Sequence, residues 1–124
     1  TATGVFDYCS AGHPPALVLR ADGTLEKLSE GGMLLGAVST APYVSGCFEL
    51  NAGDVLLVYS DGITESENSQ GEEFGGKRLI EAVKASLDKP AREMVASIQM
   101  SVLEWTASAG ATDDVTFFVI KALK

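Results

Sequence analysis

The most constraining feature of the sequence is an apolar run that ends directly in an acidic turn. Residues 55–59 read Val-Leu-Leu-Val-Tyr, which is typical of a strand covered on both faces. The run stops at Ser60-Asp61-Gly62, which is a turn signal. The sequence therefore predicts that Asp61 is presented at the C-terminal end of a rigid, buried strand.

A second acidic pair precedes the last apolar run. Asp113-Asp114 comes immediately before residues 115–120, another run of β-favouring side chains that predicts a buried strand. If the two strands are antiparallel neighbours, Asp61 and the pair meet at one edge of the core. Crowded carboxylates repel one another unless a cation lies among them, and hard divalent cations favour oxygen ligands. This edge is a candidate metal site, although each acid alone also fits a solvated turn.

Composition narrows the class of protein. The chain has 124 residues and is 46% hydrophobic, enough for the core of one domain. A net charge of −8 disfavours a nucleic-acid footprint and docking on an anionic membrane. Cys9 and Cys47 have no metal-type spacing, and we expect them to pack as small hydrophobic side chains in a reduced, cytoplasmic protein. A bridge between them stays possible at this stage.

The remaining patterns predict an α+β fold of mostly antiparallel β-sheet with two packed helices. Strands are expected over residues 5–10, 16–20, 25–28 and 43–50, and residues 29–42 are expected to form a loop. Helical spacing is seen at Leu79, Ile80, Val83 and Leu87, and again at Met94, Ile98, Val102 and Trp105. Two helices cover only one face of such a sheet, so we expect the other face to need a cover from elsewhere.

Four motifs in a fixed order resemble those of a known family. They are residues 10–15 (Ser-Ala-Gly-His-Pro-Pro), 32–36 (Gly-Met-Leu-Leu-Gly), 53–65 (from Gly-Asp to Thr-Glu) and 113–116 (Asp-Asp-Val-Thr). Together they resemble the SpoIIE/RsbU-type branch of the metal-dependent protein serine/threonine phosphatases, the PPM family. The resemblance implies an αββα sandwich of two stacked antiparallel sheets flanked by helices. It also implies hydrolysis of phosphoserine or phosphothreonine with two Mn²⁺ or Mg²⁺ ions.

The resemblance assigns roles to particular residues. Asp61 and Asp113 match metal-binding acids of the family, and no side chain is implied as the nucleophile, because a metal-activated water attacks. Gly62 would let the backbone approach the metals closely, and Asp114 would be a hydrogen-bond partner beside the site rather than a ligand. His13 matches a position near the metals, and it is equally explained as a turn histidine held between prolines.

One part of the family pattern is absent from the sequence. The family's N-terminal half carries further acidic ligands in a Gly-Asp-aromatic-Asp stretch, so residues 1–124 are expected to form the C-terminal portion of a phosphatase domain. Such a portion is expected to be inactive alone and to cover its open sheet face by forming a homodimer. The implied substrate is a phosphoprotein, such as a phosphorylated antagonist of an anti-sigma factor.

Two other interpretations remain open on the sequence alone. The chain fits a non-catalytic interaction domain of the same fold. It also fits an unrelated β-rich cation-binding module, in which Asp61 and Asp113 would lie far apart.

Overall fold

The computed structural model describes residues 4–32, 38–40, 42–107 and 114–123. Within these residues the order of strands, then helices, then a last strand agrees with the predicted order. The strands are β1 (Val5–Tyr8), β2 (Ser10–Ala11), β3 (Ala16–Leu19), β4 (Leu25–Leu28), β5 (Gly31–Gly32), β6 (Gly46–Glu49), β7 (Val55–Tyr59) and β8 (Phe117–Lys121). The helices are α1 (Asp61–Thr64), α2 (Gly75–Ala85) and α3 (Ala91–Thr106).

A four-stranded antiparallel sheet in the order β4-β3-β7-β8 forms the centre of the fold. Strand β7 occupies an interior position because its side chains are apolar on both faces, and Val55, Leu56 and Leu57 are all buried. Leu57 pairs with Leu17 of β3 on one side and with Val119 of β8 on the other. The predicted antiparallel neighbourhood of the two apolar runs is confirmed.

Helices α2 and α3 pack side by side on one face of this sheet. Their apolar stripes join the inward side chains of β3 and β7 in one core, as the helical spacing predicts. The fully or nearly buried members from the two helices are Leu79, Val83, Met94, Ile98 and Val102. No helix in the described part of the chain is long and apolar enough to cross a membrane.

The opposite sheet face is partly covered by a ribbon from the same chain. Strands β1 and β6 pair antiparallel, and the rings of Phe6 and Phe48 stack with centroids 5.3 Å apart. These rings pack over Val18 and Leu56 of the main sheet. The expectation that the cover comes wholly from elsewhere is therefore wrong in part, because the local pattern of a strand does not reveal which sheet it joins.

The last strand is less buried than its composition predicts. Phe118 is 50% exposed and Ile120 is 44% exposed, whereas their neighbours Phe117 and Val119 pack against the helix-side core. Strand β8 lies at the edge of the sheet, and the contacts of the ribbon are with other strands. The prediction of a strand covered on both faces is correct for β7 and wrong for β8.

Two smaller expectations also fail. Strand β5 lies inside the segment predicted as a loop and pairs in parallel with β2, since two glycines carry no alternation that would signal a strand. Cys9 and Cys47 are free and exposed rather than packed as hydrophobic side chains. Cys47 lies opposite Asp7 in the ribbon, where the strand alternation points it away from Phe6 and Phe48.

Candidate metal-binding site

Asp61 is the first residue of α1 and follows β7 by a single residue. Its main-chain carbonyl accepts hydrogen bonds from Glu65 N at 2.8 Å and from Thr64 Oγ1 at 3.1 Å. The next side chain but one, Ile63, is 0% exposed and belongs to the helix-side core. The backbone of Asp61 is thus held by a buried anchor, while the residue itself is exposed.

The loop that follows α1 is tied back to the same turn. Ser66 Oγ donates to the Gly62 carbonyl at 2.7 Å, and Phe74 N donates to the Ser66 carbonyl at 2.7 Å. On the far side, Trp105 Nε1 of α3 donates to the Glu72 carbonyl at 3.0 Å. The segment 65–74 is therefore a closed, hydrogen-bonded unit that braces the Asp61 turn against α3.

The segment that carries Asp114 lies directly beside Gly62. The nearest atom to a Cβ built on Gly62 is the Asp114 carbonyl oxygen, at only 2.1 Å. A side chain at position 62 has no room there, so glycine is required for the two segments to approach. The observed close approach of Gly62 is to the Asp114 main chain, and the predicted approach of its backbone to the metals stays a prediction.

Asp113 lies outside the described residues, and its position as a metal ligand stays a prediction. Its neighbour Asp114 is exposed and lines a cavity of about 260 Å³ with Val102 and Thr106 of α3 and Val115 and Phe117 of the last segment. This cavity lies on the helix side of the sheet edge at which β7 ends.

The donor set at this edge is the kind that a hard cation takes, but it is incomplete. Asp61 offers carboxylate oxygens and has no ion-pair partner among the residues that the structure describes. In that same part of the chain, no three His, Cys, Asp or Glu side chains lie close enough together to hold a metal ion. The residues therefore fit Mn²⁺ or Mg²⁺ in ligand type, and a full coordination shell needs further donors.

Tyr59 lies two residues before Asp61 in the sequence. It is the last residue of β7 and packs against the helix-side core. Burial raises the pKa of its phenol above the usual value near 10, so the hydroxyl stays protonated at neutral pH. No second negative charge is added to the turn from this side chain.

His13 has a local explanation. The residue is exposed, and its Nδ1 lies 2.9 Å from the Pro14 carbonyl oxygen, a contact that needs the proton on Nδ1. Ser10 Oγ also donates to the His13 carbonyl at 3.3 Å. These contacts agree with a turn histidine, and a role near metals stays a prediction.

Sequence reasoning missed the two serines that hold the turn. The sequence pattern marks Ser60 only as a turn residue and Ser66 only as part of a helical turn over residues 63–68, yet both hydroxyls make hydrogen bonds that fix the main chain around Asp61. The available signal was the serine just before a helix start, which predicts an N-cap. The observed partner of the Ser60 hydroxyl is instead Thr116, the residue just before β8, and no local pattern identifies it.

The architecture is that of PP2C-type phosphatase domains, as two solved structures show. The SiaA-PP2C domain of Pseudomonas aeruginosa superposes with a TM-score of 0.79 at 15% identity, covering 96% of this chain and 47% of that one. The catalytic domain of the serine threonine protein phosphatase PstP, solved in complex with 2 manganese ions, gives 0.63 at 17% identity, covering 100% and 56%. At such identities these likenesses show the fold.

The family follows from the sequence. The family model of Stage II sporulation protein E (SpoIIE) matches residues 1–123, and the chain belongs to this family. The phosphoserine phosphatase RsbU of Bacillus subtilis (strain 168) is 33% identical to this chain over 119 residues. The match covers 94% of this chain and 34% of RsbU. The chain therefore spans about a third of that relative and about half of the two solved domains.

Proposed function

We propose that this chain is part of a metal-dependent phosphatase that removes phosphate from phosphoserine or phosphothreonine on a signalling protein. One observation carries the proposal. The acid of the Ser60-Asp61-Gly62 motif stands exposed at the end of an interior strand, and the glycine beside it is in contact with the segment that carries Asp114. Membership of the SpoIIE family supports phosphatase chemistry at this place.

The cofactors proposed are two divalent cations, Mn²⁺ or Mg²⁺. Asp61 and Asp113 would hold them, Gly62 would keep the backbone close, and Asp114 and His13 would stand beside the site. Such ions, when bound, supply a water of lowered pKa and neutralise the phosphoryl oxygens. The solved relative PstP, with its 2 manganese ions, supports this choice of cation.

The described residues around Asp61 would mainly hold its carboxylate in position for a cation, rather than add further charged ligands. Ile63 in the core and the braced loop 65–74 hold the Asp61 main chain, so that its carboxylate needs no large rearrangement to meet a cation. Because the described residues offer too few ligands for a full shell, the remaining donors would come from Asp113 and from other parts of the phosphatase domain. Alone, the chain is expected to bind Mn²⁺ in about the millimolar range.

The proposed substrate is a phosphoprotein, and a phosphorylated antagonist of an anti-sigma factor is the specific candidate. The relative RsbU is itself a phosphoserine phosphatase, which supports a phosphorylated side chain as the substrate. The proposed location is the cytoplasm. A homodimer remains the proposed assembly, because the apolar side chains of β8 are half-exposed.

A non-catalytic interaction domain of the same fold is the second candidate. It is favoured by the absence of any three-ligand cluster among the described residues. It predicts that Mn²⁺ does not bind at the Asp61 turn, which separates it from the phosphatase.

Manganese titration followed by NMR distinguishes the two candidates. Paramagnetic Mn²⁺ should broaden the amide signal of Gly62 in the wild-type chain and not in Asp61→Asn. Asp88→Asn, which removes an exposed acid between the two long helices, is the charge-matched control and should leave the broadening intact. No broadening at Gly62 in the wild-type chain would overturn the metal role.

Hydrolysis of p-nitrophenyl phosphate tests the expectation for the chain alone. Turnover with added Mn²⁺ should be near background, because the carboxylates of Asp61 and Asp113 do not by themselves make a two-metal site. Robust turnover that is abolished by Asp61→Asn, from a chain that light scattering shows to be monomeric, would mean that the chain is complete by itself.

A further inference from the structure

We infer that Ser60 is a positioning residue, whose hydroxyl holds the Asp61 turn in register with the segment that carries Asp114. This inference rests on the proposed function, since it treats that edge of the sheet as the place where a cation binds.

The main-chain hydrogen-bond pattern that joins β7 to β8 is altered at Ser60, where a side-chain oxygen replaces a main-chain acceptor. Ser60 N donates to the Thr116 carbonyl at 2.8 Å. In a regular antiparallel pair, Thr116 N would donate back to the Ser60 carbonyl. It donates instead to Ser60 Oγ at 3.1 Å. The side chain has taken the place of the main-chain acceptor.

The Ser60 carbonyl takes part in the first turn of the helix instead of in the hydrogen bonding between the strands. It accepts a hydrogen bond from Ile63 N at 3.2 Å, in the first turn of α1. A residue cannot easily point one carbonyl both across the sheet and along the helix, because the two directions diverge. The Ser60 hydroxyl accepts the hydrogen bond from the Thr116 amide in place of the carbonyl. The chain can therefore turn from β7 into α1 without leaving that amide unpaired.

The hydrogen bonds of Ser60, rather than its conformation, exclude the ordinary explanation for a serine at this position. Ser60 is the N-cap of α1, with φ −84° and ψ 158°. An N-cap serine normally accepts a hydrogen bond from a main-chain amide two or three residues later. Ser60 makes no such side-chain bond. Its hydroxyl is used across the sheet, toward the strand that follows Asp114 in sequence.

The bond lies next to the closest approach between the two segments. Gly62 and the Asp114 carbonyl leave no room for a methyl group, so the Ser60–Thr116 link and the Gly62 contact together set the separation of the two segments. Metal ligands work when they are held to within about 0.5 Å by supporting hydrogen bonds. Ser60 supplies such a support without contacting the cation.

Three variants separate positioning from simple stability. Ser60→Ala removes the hydroxyl, and Ser60→Thr keeps it. Ser101→Ala is the matched control, because Ser101 Oγ donates to the Ser97 carbonyl at 3.0 Å within α3, so this change also removes one hydroxyl hydrogen bond. All three are compared with the wild-type chain by thermal unfolding, amide hydrogen exchange and Mn²⁺ titration.

The expected result has two parts. The Thr116 amide should exchange faster in Ser60→Ala by about 3- to 10-fold, the effect of losing one hydrogen bond, and should regain its protection in Ser60→Thr. The Mn²⁺ concentration that half-broadens the Gly62 and Asp114 amides should rise by a similar factor in Ser60→Ala alone. Ser101→Ala should change neither quantity.

Other outcomes overturn the inference in distinguishable ways. If Mn²⁺ broadens neither segment in the wild-type chain, the metal role fails and the inference fails with it. If Mn²⁺ broadens both segments equally in the wild-type chain, Ser60→Ala and Ser60→Thr, the metal role stands and only the positioning role of Ser60 is wrong. Equal losses in Ser60→Ala and Ser101→Ala would show a general effect on stability and would also overturn it.

Discussion

At the scale of single residues, glycine at position 62 is the sharpest steric requirement near the site. In Gly62→Ala the new methyl group would meet the Asp114 carbonyl oxygen at 2.1 Å, so one segment must shift. Overpacking of this kind costs about 1–3 kcal/mol. We expect urea unfolding to show that loss and Mn²⁺ broadening at position 62 to weaken.

The control for this change is another glycine in a helix. Gly76 lies in α2, and a Cβ built there meets nothing within 4 Å. Gly76→Ala should be neutral or stabilise the fold by about 0.5–1 kcal/mol, because alanine loses less backbone entropy. A destabilisation by Gly76→Ala as large as that by Gly62→Ala would contradict the steric argument.

A second residue-scale prediction concerns the buried acid at the other end of β7. Asp54 is 3% exposed, and burial alone would raise its pKa. Hydrogen bonds from Arg20 and from the main-chain amides of Asn51 and Ala21 outweigh burial and leave the pKa of Asp54 lowered. Arg20 Nη1 lies 2.7 Å from Asp54 Oδ2.

Asp54→Asn should lower the free energy of unfolding by about 2–4 kcal/mol at neutral pH, since it breaks a largely buried ion pair. A lowered pKa means that the stabilisation is complete above the unfolded value of about 3.9 and is lost as the pH falls below it. The difference between Asp54→Asn and the wild-type chain should therefore shrink below about pH 4.

Glu26 provides the matched control, because it pairs with the same Arg20 but its side chain is 50% exposed. Glu26→Gln should cost under about 1 kcal/mol. Denaturation at several pH values measures both variants. Equal costs for the two changes at neutral pH, or a difference between Asp54→Asn and the wild-type chain that is as large at about pH 3 as at about pH 7, would contradict the assignment.

At the scale of elements, Trp105 joins α3 to the loop that braces the Asp61 turn. Its ring meets Phe74 edge-on with centroids 6.4 Å apart, and the Arg78 guanidinium lies 3.9 Å from the ring centroid. Its Nε1 bonds the Glu72 carbonyl. The ring is half-buried, so the full cost of a buried tryptophan is not expected.

Trp105→Ala should destabilise the fold by about 2–4 kcal/mol, somewhat below the range for a fully buried ring. Trp105→Phe keeps most of the packing and loses the hydrogen bond, so it should cost about 1 kcal/mol. The measurement is urea unfolding followed by far-UV circular dichroism. Tryptophan fluorescence cannot be used, because Trp105 is the only tryptophan and both variants remove it. A change under about 1 kcal/mol for Trp105→Ala would mean that the loop does not depend on this ring.

At the scale of the whole molecule, the exposed face of β8 is where association is expected. Phe118 and Ile120 are exposed on an edge strand, and such edges pair readily with other chains. We expect the chain to form dimers and Phe118→Lys to shift it toward monomer, measured by light scattering during gel filtration.

The control is Leu103→Lys, because Leu103 is a comparably exposed apolar residue on α3, which packs on the opposite face of the sheet from Phe118. It should leave the mass unchanged. A wild-type monomer at high concentration, or a dimer lost equally in both variants, would contradict association through β8.

Much of the fold was predictable because its signals are local. The strand Val55–Tyr59 and the helical stripes ending at Trp105 follow from local side-chain pattern. The antiparallel pairing of the two acid-flanked strands was a hypothesis from the placement of the acids, and the structure confirms it. Strand β5 was not predictable, because Gly31-Gly32 has no periodicity and its partner β2 lies about twenty residues away in sequence. The ribbon β1–β6 was predicted as two strands but not as a separate layer.

The sequence by itself determined which residues are candidates for the chemistry: the acid Asp61, separated by one residue from the end of a strand that must be buried, and the glycine beside it. Only the tertiary structure decided how that acid is held. The Thr116 amide that binds Ser60 is 56 residues away, and the Asp114 carbonyl that excludes a side chain at Gly62 is 52 positions further on. The physical reason is that propensity and periodicity act over a few residues, whereas hydrogen-bond partners and close packing are assigned when distant segments meet.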